Sequence, residues 1–305
     1  MLNILLVPFT NLYFLGNLLS YTAILSISGL GIFVAYKGGA FNLGGEGQIY
    51  FGSFVGTIFA LYLFPHNLLF FSKVGIFFIS FLVGGAIASL SGYLKYYFRI
   101  SEFISSFLIS EVFLILTNFL LRVVFRDPSY GILATSPLPK NLLFKKILPP
   151  SGLSTSIFIS LCLVFIGIFV FRKTIYGYEF RIFGYSPRFA FYGGMKVKRQ
   201  MVLPLFISGG ILALSGVMDI LSRDGRFVQG FSYGLGWDGI VVSLLSRGNP
   251  VWLLPSAFLL SYVKVFSQIG GIYGVFPPEV GDILKAILFL FLTIGAFSYL
   301  GERDV

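Results

Sequence analysis

The sequence predicts an all-α, polytopic integral membrane protein with about eight transmembrane helices plus short broken or re-entrant helices. Three observations carry this. Of its 305 residues, 56% are apolar and 11% are charged, against about 25% charged in an ordinary soluble domain. Mean hydropathy is +0.90, which excludes a water-soluble globule and also a disordered chain, since disorder needs low hydrophobicity and high charge. Apolar runs of about 20 residues, the length that crosses the hydrocarbon as a helix, recur along the chain. Backbone groups in lipid must be satisfied within their own segment, so these runs are helices.

Taken in order, Leu12–Tyr36 is uncharged throughout. Glu46–Phe64 is apolar after its first residues, and Val74–Leu94 is rich in small residues. Phe103–Val124 contains Glu111, Asn118 and Arg122, whereas Leu153–Phe171 is clean. Met201–Leu221 carries Asp219, Val251–Gln268 carries Lys264, and Ile283–Leu300 carries Lys285. Trp237–Ser246 is apolar but short. No soluble domain interrupts the series, so residues 1–305 form a single transmembrane domain. The first ten residues hold no Lys or Arg. A cleaved signal needs a basic leading region, so Leu12–Tyr36 is expected to be a retained span.

Two long loops set the orientation. Arg126–Gly152 holds Arg126, Lys140, Lys145 and Lys146 against Asp127, with helix-stopping prolines. Arg172–Gln200 is more basic, with Arg172, Lys173, Arg181, Arg188, Lys196, Lys198 and Arg199 against Glu179. One span separates them, so they face opposite sides. The positive-inside rule places 172–200 in the cytoplasm and 126–152 outside. If Trp237–Ser246 crosses, Arg247 and the C-terminal tail lie inside. If it is re-entrant, the tail flips. Crossing lets Arg247 obey the charge rule.

The net charge of +10 lies between apolar runs, so it speaks for a lipid surface and not for nucleic acid. One cysteine, Cys162, excludes an internal disulfide, and one histidine, His66, excludes multi-histidine metal sites. Cys162 is expected as a small hydrophobe, and His66 as a loop residue without catalytic part. Lys264 and Lys285 are expected to snorkel toward the headgroups.

Two segments are unlike their surroundings. In 172–200, aromatics alternate with cations. Ser186 can cap a short helix with Pro187 at its first position, and Gly193–Gly194 can stop it. The helix presents Tyr185, Phe189 and Tyr192. It either lies among lipid headgroups or docks in a groove on a cytoplasmic partner. The second segment, Phe41–Gln48 (FNLGGEGQ), places three glycines and polar side chains between apolar spans. Glycines weaken a helix, so the chain breaks here. Irregular backbone at membrane depth is tolerated inside protein or along a cavity, and an intramembrane carboxylate is a functional candidate. Glu46 either lines such a path or caps the next helix at the membrane surface. Asn42 and Gln48 accompany it as pathway candidates. Glu111 and Asn118, seven residues apart, share a helix face and either bond a neighbouring helix or face a pore. Asp238 follows the Gly-rich stretch 230–236, with helix capping as its simplest role.

Neither a G-x-x-x-x-G-K-[ST] phosphate loop nor a G-x-S-x-G or H-E-x-x-H motif occurs. Catalysis by this chain is not expected, and no cofactor is expected on it.

Three motifs together resemble the permease subunits of bacterial ABC importers in the ribose and branched-chain amino acid permease superfamily. FNLGGEGQ at 41–48 is similar to a signature of the nucleoside branch. RIFGYSPRFAFYGGMKVKR at 181–199 resembles the segment that couples to the ATPase, and YGLGWDGIVVSLLSRGNP at 233–250 resembles a third stretch. A weaker match covers Ser101–Ser110. The resemblance implies a nucleoside permease of the bacterial cytoplasmic (inner) membrane, without ATPase activity of its own. Its implied partners are a cytoplasmic ABC ATPase that uses ATP, a second permease subunit in a heterodimer, and an extracytoplasmic substrate-binding lipoprotein. The coupling residues it implies are Gly184, Ser186, Pro187, Arg188, Phe189, Ala190, Tyr192 and Gly193. A simple-sugar (ribose-like) ABC permease and an ATP-independent secondary transporter are the alternatives.

Overall fold

The computed structural model describes residues 2–63, 69–223 and 225–301; His66 lies outside the described residues. Helices follow one another without strands among these residues: α1 (Leu2–Thr10), α2 (Leu12–Lys37), α3 (Gly45–Tyr62), α4 (Leu69–Phe98), α5 (Glu102–Val123), α6 (Ser156–Lys173), α7 (Ile175–Tyr185), α8 (Pro187–Tyr192), α9 (Val197–Ser222), α10 (Leu235–Leu245), α11 (Leu253–Ile272) and α12 (Val280–Gly301).

Six of them, α2, α4, α5, α6, α9 and α11, are long and apolar enough to cross a membrane. α3 and α12 fill two more of the expected runs as helices of 18 and 22 residues, and a count of eight rests on these two crossing as well. α1 was not anticipated. Asn11 caps α2 by accepting from the Tyr13 N–H at 2.9 Å, so the chain turns between the two helices.

α2 is the centre of the bundle. Its most apolar stretch is 83% buried, against 28% for α5 and 22% for α6, so α2 is a core helix while α5 and α6 turn Phe, Ile and Leu side chains outward. Cys162 lies on α6 with an exposed side chain, as a small hydrophobe can. α4 packs on α9 through small residues. A Cβ on Gly84 would fall 2.4 Å from the Gly209 carbonyl oxygen, and one on Gly209 2.3 Å from that of Gly84. Apolar side chains gain little by leaving lipid for protein, so close backbone approach of this kind is what holds membrane helices together.

Segment 126–152 is folded onto the bundle. The Thr135 N–H donates to the Phe227 carbonyl at 2.9 Å, Leu138 to Gly225 at 2.7 Å, and Phe144 to Leu221 at 3.0 Å. Leu138 and Leu142 are buried in the main core. The segment therefore lies along 225–229. Asp127 pairs with Arg226 at 4.0 Å, and the Arg226 guanidinium lies 3.8 Å from the Tyr130 ring centroid. The Ser129 hydroxyl and N–H, followed by Arg226, hold the Asp127 carboxyl below its ordinary range.

At the other end of the bundle, Arg172 Nη2 donates to Asn249 Oδ1 at 3.3 Å, and Gly248 packs against the Lys37 ammonium. The ends of α2 and α6 meet the segment that follows α10 there. α10 itself has 11 residues, about 16 Å, roughly half the hydrocarbon thickness.

Candidate functional site: two helix starts joined by one carboxylate

Neither α3 nor α10 carries a capping side chain of its own. The N-cap residues are Gly44 and Gly234, the latter left-handed at φ 80°. Each helix start therefore leaves N–H groups that need outside acceptors. α5 supplies them to α3: the Gly47 N–H donates to Ser110 Oγ at 2.8 Å, and the Leu43 N–H to Ser106 Oγ at 3.1 Å. α3 in turn supplies α10. Glu46 Oε2 accepts from the Gly236 N–H at 2.8 Å, and Oε1 accepts from the Gly234 N–H at 3.2 Å and from the Ser232 hydroxyl. Glu46 is half-buried in the first turn of α3, so its charge faces the positive ends of two helices at once. The backbones touch here: a Cβ on Gly236 would fall 2.3 Å from the Glu46 nitrogen. Glu46 thus caps a helix, but it is α10 across the bundle and not its own α3.

Asn42 and Gln48 serve the break itself. Asn42 Nδ2 donates to Gln48 Oε1 at 2.8 Å and to Ser208 Oγ of α9 at 2.9 Å. Asn42 Oδ1 accepts from Gln48 Nε2 at 2.9 Å and from the Gly44 N–H at 3.0 Å. Both side chains are buried, and the four hydrogen bonds use the full capacity of the Asn42 amide. These two residues hold the irregular loop and do not face open space.

Asn118 and Glu111 part company. Asn118 Oδ1 accepts from Tyr50 OH at 2.9 Å, and the same hydroxyl accepts from the Gly230 N–H at 2.8 Å. The Tyr50 ring stacks on Phe231. Glu111 is half-buried and makes no hydrogen bond or ion pair among the described residues.

Asp238 is buried four residues into α10 and pairs with Lys285 at 3.3 Å and Lys264 at 3.9 Å. Helix capping is not its main contact. The two lysines do not snorkel: they turn inward from α12 and α11, because the buried carboxylate offers them a closer counter-charge than the headgroups. Lys285 also meets Asp282 at 2.8 Å.

Beside them lies a cavity of about 630 Å³, lined by Tyr21, Arg223, Ser232, Lys264, Gln268 and Lys285 among others. A second one of about 550 Å³ adjoins it and shares Tyr21, Arg223 and Gln268. Gln268 Nε2 donates to Tyr21 OH at 3.1 Å. Arg223 pairs with Asp219 at 2.6 Å and lies 4.4 Å from the Tyr21 ring centroid. Sequence reasoning missed this cluster, whose members come from α2, α9, α11 and α12. The signal available was the single charge inside each of three apolar runs, Asp219, Lys264 and Lys285.

The short helix in 172–200 forms as its residues require. The Phe189 N–H donates to Ser186 Oγ at 3.3 Å, Pro187 occupies the first turn, and Gly193 ends the helix by donating to the Phe189 carbonyl at 2.9 Å. Ala190 is fully buried, whereas Tyr185, Phe189 and Tyr192 are 75%, 64% and 86% exposed. Arg188 is on the exposed side. Gly184 is exposed as well; it lies in α7, with its Cα against the backbone of Lys37–Gly39. α7 itself was not anticipated; its N-cap, Thr174, accepts from the Gly177 N–H.

The fold and this arrangement define a membrane permease component. The chain belongs to the family described as "Branched-chain amino acid transport system / permease component", whose model matches residues 14–293. It is a multi-pass protein of the bacterial inner membrane, and ATP hydrolysis in such importers takes place on a partner chain. Among its relatives, "Probable riboflavin import permease protein RfuC" of Treponema pallidum is 29% identical, over 94% of this chain and 76% of the relative. "Guanosine ABC transporter permease protein NupP" of Bacillus subtilis is also 29% identical, over 93% and 82%. "Guanosine ABC transporter permease protein NupQ" of the same strain is 24% identical, over 94% and 91%. A solved structure titled "PsaBC from Streptococcus pneumoniae in complex with Fab" shares the fold at TM-score 0.54 and 17% identity, covering 96% of this chain and 95% of that one.

Proposed function

We propose that this chain pairs with a second, different permease chain to form the membrane pathway of an ATP-driven nucleoside importer. A cytoplasmic ABC ATPase docks on α8, and an extracytoplasmic substrate-binding lipoprotein delivers the nucleoside. The observation that carries the reading is α8: one buried alanine anchors a helix whose aromatic side chains Phe189, Phe191 and Tyr192 are 64%, 60% and 86% exposed. An aromatic surface of that kind suits a groove on a partner. The relatives support the substrate class, since two of them are named for guanosine, and two such permeases in one strain support a heterodimer. Residues 172–200 are then cytoplasmic and 126–152 extracytoplasmic. Within the chain, Glu46, Glu111, Asn118 and Asp238 are assigned to the pathway or its immediate support, with Asn42 and Gln48 holding the loop behind Glu46.

A second reading, an ATP-independent secondary transporter, is favoured by one observation. α3 and α10 start inside the bundle, as the discontinuous helices of such transporters do. The two readings separate on purification of the tagged protein from its native membrane in mild detergent, with mass spectrometry of what accompanies it. The importer predicts a stoichiometric ATPase and a second permease, followed by ATP-dependent uptake of labelled nucleoside in proteoliposomes. A chain recovered alone from several detergents, with uptake that ignores ATP, overturns the importer.

A further inference from the structure

We infer that Gly184 and Gly39 form the mechanical joint through which movement of α8 reaches the Glu46 junction. This rests on the reading of α8 as the ATPase docking helix. Gly184 lies one residue before the end of α7. A Cβ there would fall 2.4 Å from the Lys37 carbonyl oxygen and 2.8 Å from the Gly39 nitrogen. A Cβ on Gly39 would fall 2.7 Å from the Gly184 Cα. No side chain stands between the two backbones. Gly39 has φ +72°, a conformation L side chains rarely adopt, so the turn after α2 is shaped for this contact.

The segments on either side are built to carry force. α7 is firmly seated: Phe180 and Phe183 are buried, the Phe180 ring lies 6.4 Å from that of Phe171, and Gly177 abuts the Val170 carbonyl of α6. α8 is exposed and follows α7 across one extended residue, Ser186, at φ −149° and ψ 95°. A push on α8 therefore turns α7 about its seat and presses Gly184 on Lys37–Gly39. From Gly39 the chain runs straight into Asn42 and Glu46, and Glu46 holds the start of α10. The chain just past the other end of α10 meets the same residue, because Gly248 packs on the Lys37 ammonium. Lys37 thus adjoins both the joint and the chain that leaves α10.

The test uses the complete reconstituted importer with Cys162→Ser and a single environment-sensitive dye, either on Phe191→Cys in α8 or on Tyr233→Cys beside the α10 start. In the parent protein, both dyes respond to ATP and to a non-hydrolysable analogue. In Gly184→Ala, the α8 dye is expected to respond still while the Tyr233 dye does not, and uptake falls at least about tenfold, or about 1.4 kcal/mol on the coupled step, with ATP hydrolysis retained. Where the added methyl prevents assembly, Phe183→Leu loosens the seat of α7 without adding an atom to the joint and is expected to weaken the Tyr233 response in the same direction. Gly131→Ala, with open space around it, is the control. Responses of both dyes and uptake unchanged in Gly184→Ala or Phe183→Leu overturn the joint. An α8 dye that ignores nucleotide in the parent protein overturns the docking role of α8 itself, and the joint with it.

Discussion

The Glu46 side chain accepts from three donors at the start of α10, beside the positive ends of α3 and α10. Charge-assisted hydrogen bonds contribute about 1.5–3 kcal/mol each when one partner is ionised. Glu46→Ala is therefore expected to lower uptake severalfold and to lower the melting temperature of the purified protein, while leaving assembly with the ATPase intact in a pull-down. Normal uptake would reduce Glu46 to a structural cap. Asp238 gives the sharper stability test. Asp238→Asn takes the carboxylate from Lys264, while Lys285 keeps Asp282, a loss of about 3–5 kcal/mol for a broken buried ion pair. The double variant Asp238→Asn/Lys264→Met removes the stranded cation and is expected to regain part of that loss in thermal unfolding. The identity of Glu46 as a special residue was legible, since a carboxylate set among glycines between apolar runs is costly unless the protein uses it. Its partner was not. Ser232 and Gly236 lie far away in sequence, and a glycine N–H carries no side-chain signal.

Among the elements, α8 was the most legible, because serine, proline and glycine each mark a helix boundary by a local rule. α7 escaped because its seat is tertiary: buried phenylalanines and a glycine against α6 override a sequence that reads as an irregular aromatic loop. Ala190 is the foot of α8, fully buried under an otherwise exposed helix. Ala190→Glu forces a carboxylate into that contact and tilts the helix. Uptake is expected to be lost while ATP hydrolysis continues, and parallel measurement of the two activities checks it. Gly193→Pro removes the N–H that closes α8 on Phe189 and is expected to uncouple in the same way. Unchanged uptake in either variant counts against a coupling role for this segment. The neighbouring Lys198 gives α9 a fixed start: its ammonium lies 4.9 Å from the Tyr97 ring centroid, with Tyr93 and Tyr96 close by.

At the scale of the molecule, the apolar runs and their approximate ends could be read directly, because hydrophobic length is a local property. Which helices lie at the centre could not. α2 and α6 are similarly apolar, yet one is core and the other is turned to lipid, a difference set by small residues on packing faces. Orientation has a direct check. In a Cys162→Ser background, Gly131→Cys is expected to react with a membrane-impermeant maleimide on intact cells, and Tyr192→Cys only after permeabilisation. The reverse pattern inverts the topology. The shortness of α10 also bears on how the chain is made. Eleven residues are too few to be released into the bilayer as an independent span when they leave the ribosome, and their N-terminal donors find acceptors on a helix synthesised some 190 residues earlier. Biogenesis therefore has an order: α2 and α3 must already be lodged and assembled before α10 can be seated against them. Truncated nascent chains ending before α11 should expose α10 to protease, and chains that include α11 and α12 should protect it.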